Sequence, residues 1–87
     1  MYHYFLKVVA YFVEMSDKQE KFKIKLGLEI ETRRKSRNFG VREFARIAQI
    51  EHHQLINIEK GRVDVRLTTI IKIAEGFEIE VKELINF

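Results

Sequence analysis

The chain predicts an all-α fold, a compact five-helix bundle behind an apolar N-terminal extension, and three observations carry that prediction. Apolar residues recur at helical spacing in Phe22, Leu26 and Ile30, in Phe44, Ala45 and Ala48, and in Leu55 and Ile58. Ser16-Asp17-Lys18-Gln19 has the spacing of a capping box, in which Ser16 caps a helix and Gln19 reaches back from its third position. Gly61 follows a short polar segment and is the residue best suited to a left-handed helix end. With 87 residues there is material for one core. Residues 1–15 form the extension and residues 16–87 the helical domain.

The elements follow in order. Residues 1–14, MYHYFLKVVAYFVE, are far more apolar than a surface tail and call for a partner. His3, Lys7 and Glu14 fall on one side of a helical wheel, which favours a mostly buried helix, whereas Val8, Val9, Tyr11, Phe12 and Val13 carry β propensity and suit a dimerising strand. Both readings stand, and Met15, directly before the capping box, is a second candidate start. The first helix of the domain is expected from Ser16 to about Ser36, with Phe22, Leu26 and Ile30 facing the core. Ile24 and Leu28 lie roughly 160 to 200° from that stripe and require a cover of their own. Asn38-Phe39-Gly40 is a connection. A second helix begins at Val41, with Gly40 as its N-cap, and Ile50 sits at the turn into a third. Glu51 is placed to cap that third helix by accepting from backbone N–H groups, and the helix runs from His52 to Lys60, about two and a half turns. After a loop over residues 62–66 come a fourth helix from about Leu67 to Gly76 and a fifth from about Val81 to Asn86, closing the core with Leu84, Ile85 and Phe87.

Composition narrows the function. There is no cysteine, hence no disulfide framework and no thiolate ligand or nucleophile, and a cytoplasmic address follows. The apolar run of the extension is about half the length that spans a bilayer, and it lacks a charged leading region and a small-residue cleavage site, so no membrane partner is expected. The net charge of +3 is unevenly spread: residues 1–48 carry 11 Lys/Arg against 6 Asp/Glu, and residues 49–87 carry 5 against 7. Arg33, Arg34, Lys35, Arg37, Arg42 and Arg46 cluster around the end of the first helix and the second. A basic run alone is usually a solvated face; this one adjoins a helix whose outward positions are His52, His53, Gln54, Asn57 and Lys60. Such hydrogen-bonding and cationic groups read base edges and phosphates in a major groove.

The stretch VREFARIAQIEHHQLINIEKG, with its flanks from about Phe22 to Phe87, resembles the lambda-repressor and Cro-like (XRE) helix-turn-helix family. Leu26, Gly27 and Ile30 match the family's first-helix core and Arg34 its first-helix arginine. Phe44-Ala45 matches its "Leu-Ala" pair, Ile58-Glu59-Lys60-Gly61 its "Ile-Glu-x-Gly" signature, and Leu67, Ile70, Ile73 and Ala74 its fourth helix. Three positions depart from the pattern. Gln49 stands at the turn position usually held by glycine, Val41 where a phosphate-binding glutamine is common, and Gly40 serves as N-cap. Gln49 must then tolerate positive φ, and Arg42 supplies a replacement cation beside Val41.

The resemblance implies a sequence-specific regulator of transcription, a repressor that binds double-stranded DNA at a two-fold operator as a homodimer. His52, His53, Gln54 and Asn57 are then the base-contacting residues, and Arg33, Arg37, Arg42, Lys60 and Arg62 the phosphate-contacting ones. Arg34 and Glu59 form a structural ion pair bracing the first helix against the third. An antitoxin whose extension binds a toxin, and an interaction module that keeps the fold without binding DNA, are the alternatives. No metal or other cofactor is expected: His52 and His53 point about 100° apart on a helix and have no partner ligand at i+4. No nucleophile-base set, phosphate-cradling loop or apolar carboxylate pair suggests an enzyme. Histidine protonation near pH 6.5 would add phosphate attraction and make affinity pH-dependent.

Overall fold

The computed structural model describes the backbone of residues 2–87 and the side chains of residues 17–87. Five helices follow in order: α1 (Tyr2–Ser36), α2 (Val41–Ile47), α3 (His52–Glu59), α4 (Leu67–Phe77) and α5 (Val81–Leu84). There is no strand among the described residues.

Four of these helices end in the same way. Asn38, Gln49, Gly61 and Glu78 take left-handed backbone conformations, with φ of 60, 59, 68 and 60°. In each case the next residue's N–H donates to the carbonyl five residues back: Phe39 to Arg34 at 3.1 Å, Ile50 to Ala45 at 2.9 Å, Arg62 to Asn57 at 3.0 Å and Ile79 to Ala74 at 3.0 Å. This is the Schellman ending, which satisfies carbonyls that the helix leaves unpaired. Each time, the residue after the left-handed one is turned back toward the helix, and Phe39, Ile50 and Ile79 pack against the core there.

The core is Leu26 and Ile30 of α1, Phe44 and Ala45 of α2 with Ala48, Leu55 and Ile58 of α3, Ile73, Ala74 and Phe77 of α4, and Leu84 of α5. Phe44 is its centre: its ring stacks on Phe77 with centroids 4.1 Å apart and on Phe39 at 5.9 Å. Stacked pairs of this kind add roughly 0.5–1.5 kcal/mol each beyond the area they bury. Gly27 sets the distance between α1 and α3, because a Cβ there would lie 2.5 Å from the carbonyl oxygens of both Ile58 and Glu59. Only glycine allows that approach.

Several expectations need correcting. The helix does not begin at Ser16: α1 runs through that position from Tyr2, so no helix terminus exists there for a capping box to satisfy. Phe22 is not in the core but 45% exposed, its ring resting on Phe87 at 5.2 Å. One turn further along α1, Leu26 is the first residue on that face to lie under the rest of the bundle. Glu51 occupies the N-cap position of α3, but its side chain makes no capping hydrogen bond. α5 is shorter than expected, ending at Leu84, and Phe87 stays 47% exposed. Ile24 and Leu28 remain uncovered, 49% and 54% exposed. The contact that residues 1–14 were expected to make, with a second copy or a toxin, lies outside the described residues.

Candidate nucleic-acid interface

α2 and α3 are joined by a tight turn at residues 48–51, where Gln49 adopts positive φ in the place the family pattern gives to glycine. Ile50 tucks against the core behind it, so the angle between the helices is set by an apolar contact as well as by the turn. α3 therefore buries Leu55, Ile58 and Glu59 and turns the rest of its surface outward.

Glu59 is the buried charge of α3. Arg34 Nε donates to its Oε2 at 2.7 Å and Arg34 Nη2 to its Oε1 at 2.9 Å, a bidentate pair with both residues 7% exposed. A third donor, Arg34 Nη1, reaches the Phe39 carbonyl at 2.9 Å. The hydrogen bonds from Glu59 hold the Arg34 guanidinium charged, raising its pKa above the usual arginine value against the opposing effect of burial. One side chain thus joins α1, the α1–α2 connection and α3. Planar, forked arginine suits this task in a way that lysine does not.

On the outer side, the rings of His52 and His53 lie 4.0 Å apart, tilted by 35°. Gln54 is exposed beside them, while Asn57 is half-buried and accepts a long 3.5 Å hydrogen bond from Arg62 at its Oδ1. The His52 imidazole is held below the ordinary histidine value, first by desolvation and then by the positive fields of His53 and Arg42, with Glu51 opposing them. Arg42 of α2 is thus electrostatically part of the α3 surface. Lys60 and Arg62 are exposed at the other end of α3.

Arg33 and Arg37 are placed differently. Arg33 Nε donates to Glu29 at 2.8 Å and its Nη2 to the Glu83 carbonyl of α5 at 3.3 Å. The Arg37 guanidinium donates to the Phe77 carbonyl and lies 5.2 Å over the Phe77 ring. Both cations are engaged with α1, α4 and α5, whose chain ends leave carbonyls for them. Sequence proximity grouped them with Arg42; in the fold each of the two already has an intramolecular partner.

One cation was not recognised from the sequence. Arg66, the N-cap residue of α4, borders an open polar depression together with Gln49, Glu51, Gln54, Thr68 and Lys72. Its place in a connecting loop gave no periodicity to read, and a cation just ahead of Leu67-Thr68-Thr69 was the one available signal. Among the described residues no group of three or more His, Asp or Glu is placed to hold a metal, and no helix is long and apolar enough to cross a membrane.

Five helices in this order, with a tight α2–α3 turn, an exposed polar α3 and a buried arginine–glutamate pair behind it, give this chain the fold of a lambda-repressor-like helix-turn-helix domain. Solved structures share the arrangement. The restriction-modification controller protein C.AhdI of Aeromonas hydrophila superposes with a TM-score of 0.69 at 24% identity, over 71% of this chain and 94% of its own. An HTH_3 family transcriptional regulator from Vibrio cholerae gives 0.72 at 26% identity, over 76% of this chain and 37% of its own, so this chain spans little more than a third of that protein. The hypothetical transcription factor NHTF from Neisseria gives 0.71 at 18% identity, over 77% of each chain. No protein-family model and no curated protein matches the sequence.

Proposed function

We propose that the protein is a sequence-specific DNA-binding regulator of transcription, a repressor that acts as a homodimer on a two-fold operator. The observation that carries this reading is the division of α3: Leu55, Ile58 and Glu59 anchor it rigidly, His53 and Gln54 project from the opposite side with hydrogen-bonding groups free for base edges, and half-buried His52 lies against the His53 ring. Likeness to transcriptional regulators and to a restriction-modification controller supports the same reading. In the groove, His52, His53, Gln54 and Asn57 contact bases, and the bidentate amide of Gln54 suits adenine. Arg42, Lys60 and Arg62 hold phosphates on either side, joined by Arg66 at the start of α4. No chemical step is involved.

Selection from random duplex DNA at two salt concentrations tests this, with a His53→Ala/Gln54→Ala variant alongside. Both side chains are exposed, so the variant keeps the fold. A two-fold motif enriched by the wild type and lost by the variant is the expected result. Weak, salt-sensitive binding of both proteins without enrichment overturns the proposal in favour of an interaction module.

A further inference from the structure

α1 carries a second surface, facing away from the bundle. Asp17, Lys21, Ile24, Leu28, Glu31 and Lys35 follow one another at intervals of four, three, four, three and four residues, the spacing of a coiled-coil seam. On the other side of the helix, Leu26, Gly27, Ile30 and Arg34 are buried against the domain. Ile24 and Leu28 form an apolar centre that stays about half exposed. The loop after α3 runs alongside, with Gly61 so close that a Cβ there would lie 3.0 Å from the Ile24 Cα, yet Ile24 stays 49% exposed. At the two ends of the seam sit ion pairs whose charges run in opposite order outward from its centre: Lys21 then Asp17, 3.0 Å apart, and Glu31 then Lys35, 3.6 Å apart.

The order of the charges selects the partner. Laid antiparallel on a copy of itself about a two-fold axis between Ile24 and Leu28, this face sets Ile24 against Leu28 of the second copy, Lys21 against Glu31, and Asp17 against Lys35. Every layer is then either apolar or oppositely charged. A parallel pairing would set Lys21 on Lys21 and Glu31 on Glu31, a repulsion at each end. A two-fold contact requires a surface complementary to itself, and this one is. We infer that the outer face of α1 is a self-association surface, on which a second copy of this chain docks antiparallel, its apolar centre giving adhesion and its end charges fixing direction. The inference rests on the homodimeric regulator proposed above and supplies that dimer with its contact face.

The test uses the full chain without DNA, so that its outcome is separate from base recognition. Sedimentation equilibrium of the wild type should show a concentration-dependent dimer. Lys21→Glu and Glu31→Lys each place like charges in two layers of the pair and should each raise the dissociation constant at least tenfold. Mixed in equal amounts, the two variants should recover a one-to-one heterodimer, because Glu at position 21 of one meets Lys at position 31 of the other in one layer and the native Glu31 meets the native Lys21 in the second. Direction is read separately. Asp17 and Lys35 lie about 27 Å apart along the helix, and the chain has no cysteine of its own. Asp17→Cys mixed with Lys35→Cys should therefore form a mixed disulfide, and Asp17→Cys alone should not form a disulfide-linked dimer. Unchanged helicity by circular dichroism shows that the variants remain folded. A monomeric wild type, a dimer indifferent to both charge reversals, or cross-linking of Asp17→Cys to itself overturns the inference. A wild type that is monomeric and still selects a DNA sequence overturns the inference while leaving the base-reading part of the proposal above intact.

Discussion

At the scale of single residues, the Arg34–Glu59 pair is the most consequential contact. Both groups are buried, and the bidentate geometry with the extra bond to the Phe39 carbonyl satisfies three of the five guanidinium N–H donors. Removing either partner leaves a buried charge without compensation. Arg34→Ala and Glu59→Ala should each cost about 3–5 kcal/mol in urea unfolding, a large share of the roughly 5–15 kcal/mol typical of a small domain. Glu59→Gln, which keeps an acceptor oxygen, should cost less. His52 makes a different prediction. Its folded-state pKa is lowered by desolvation and by His53 and Arg42, so the free domain is disfavoured by protonation, and stability falls as pH drops through the range where the unfolded histidine takes up a proton. DNA phosphates would reverse that field and raise the pKa, so the complex takes up a proton and affinity rises as pH falls from 7.5 to 5.5. His52→Gln should flatten that dependence when Kd is measured across the range, and an unchanged profile would place the proton elsewhere.

At the scale of elements, the helix ends are where sequence and conformation disagree. All four Schellman endings need a left-handed residue, and glycine supplies it only at position 61. A side chain in that conformation costs roughly 1–2 kcal/mol, partly offset by the lower chain entropy of a non-glycine residue when unfolded. Gln49→Gly and Glu78→Gly should therefore each stabilise the domain by up to about 1 kcal/mol, some 4–8 °C in Tm for a domain of this size. Asn38→Gly should change little, since asparagine tolerates this conformation. A melting series of the three variants checks this ranking. The ends of α1, α3 and α4 were legible to within a residue, and positive φ was expected at Gln49; at Asn38 and Glu78 no glycine marked the left-handed conformation. The apolar spacing of α2 and α3 was read correctly because each presents one buried face, whereas in α4, matched by resemblance, Ile73 and Ala74 are buried and Leu67 is 67% exposed.

Taken as a whole, the molecule divides its cations between two tasks. Arg33 and Arg37 tie α1 to α4 and α5, whereas Arg42, Lys60 and Arg62 are placed around α3. The salt dependence of operator binding should reflect that division. Arg42→Ala, Lys60→Ala and Arg62→Ala should each reduce the slope of log K against log salt by about 0.9, the effect of losing one phosphate contact. Arg37→Ala should leave the slope unchanged and lower Tm instead. Equal slope losses for Arg37 and Arg42 would return Arg37 to the interface.

Helical periodicity, the Phe44-Ala45 and Ile58-Glu59-Lys60-Gly61 motifs and the position of Arg34 were enough, in the sequence alone, to determine the fold class and the helix expected to face DNA. These are local properties: spacing decides which face of a helix is buried, and a short motif decides which turn can follow it. Tertiary structure alone decided where α1 begins, that Phe22 rests on Phe87 outside the core, and which arginines are already engaged. It also showed that Arg66 lies beside Gln54, and that the opposed charges along the outer face of α1 flank an uncovered apolar centre. Each depends on what distant segments bring alongside. A guanidinium has the same chemistry in the chain wherever it stands, and only the carbonyls, rings and carboxylates that folding places within reach determine whether it is a brace or a free cation.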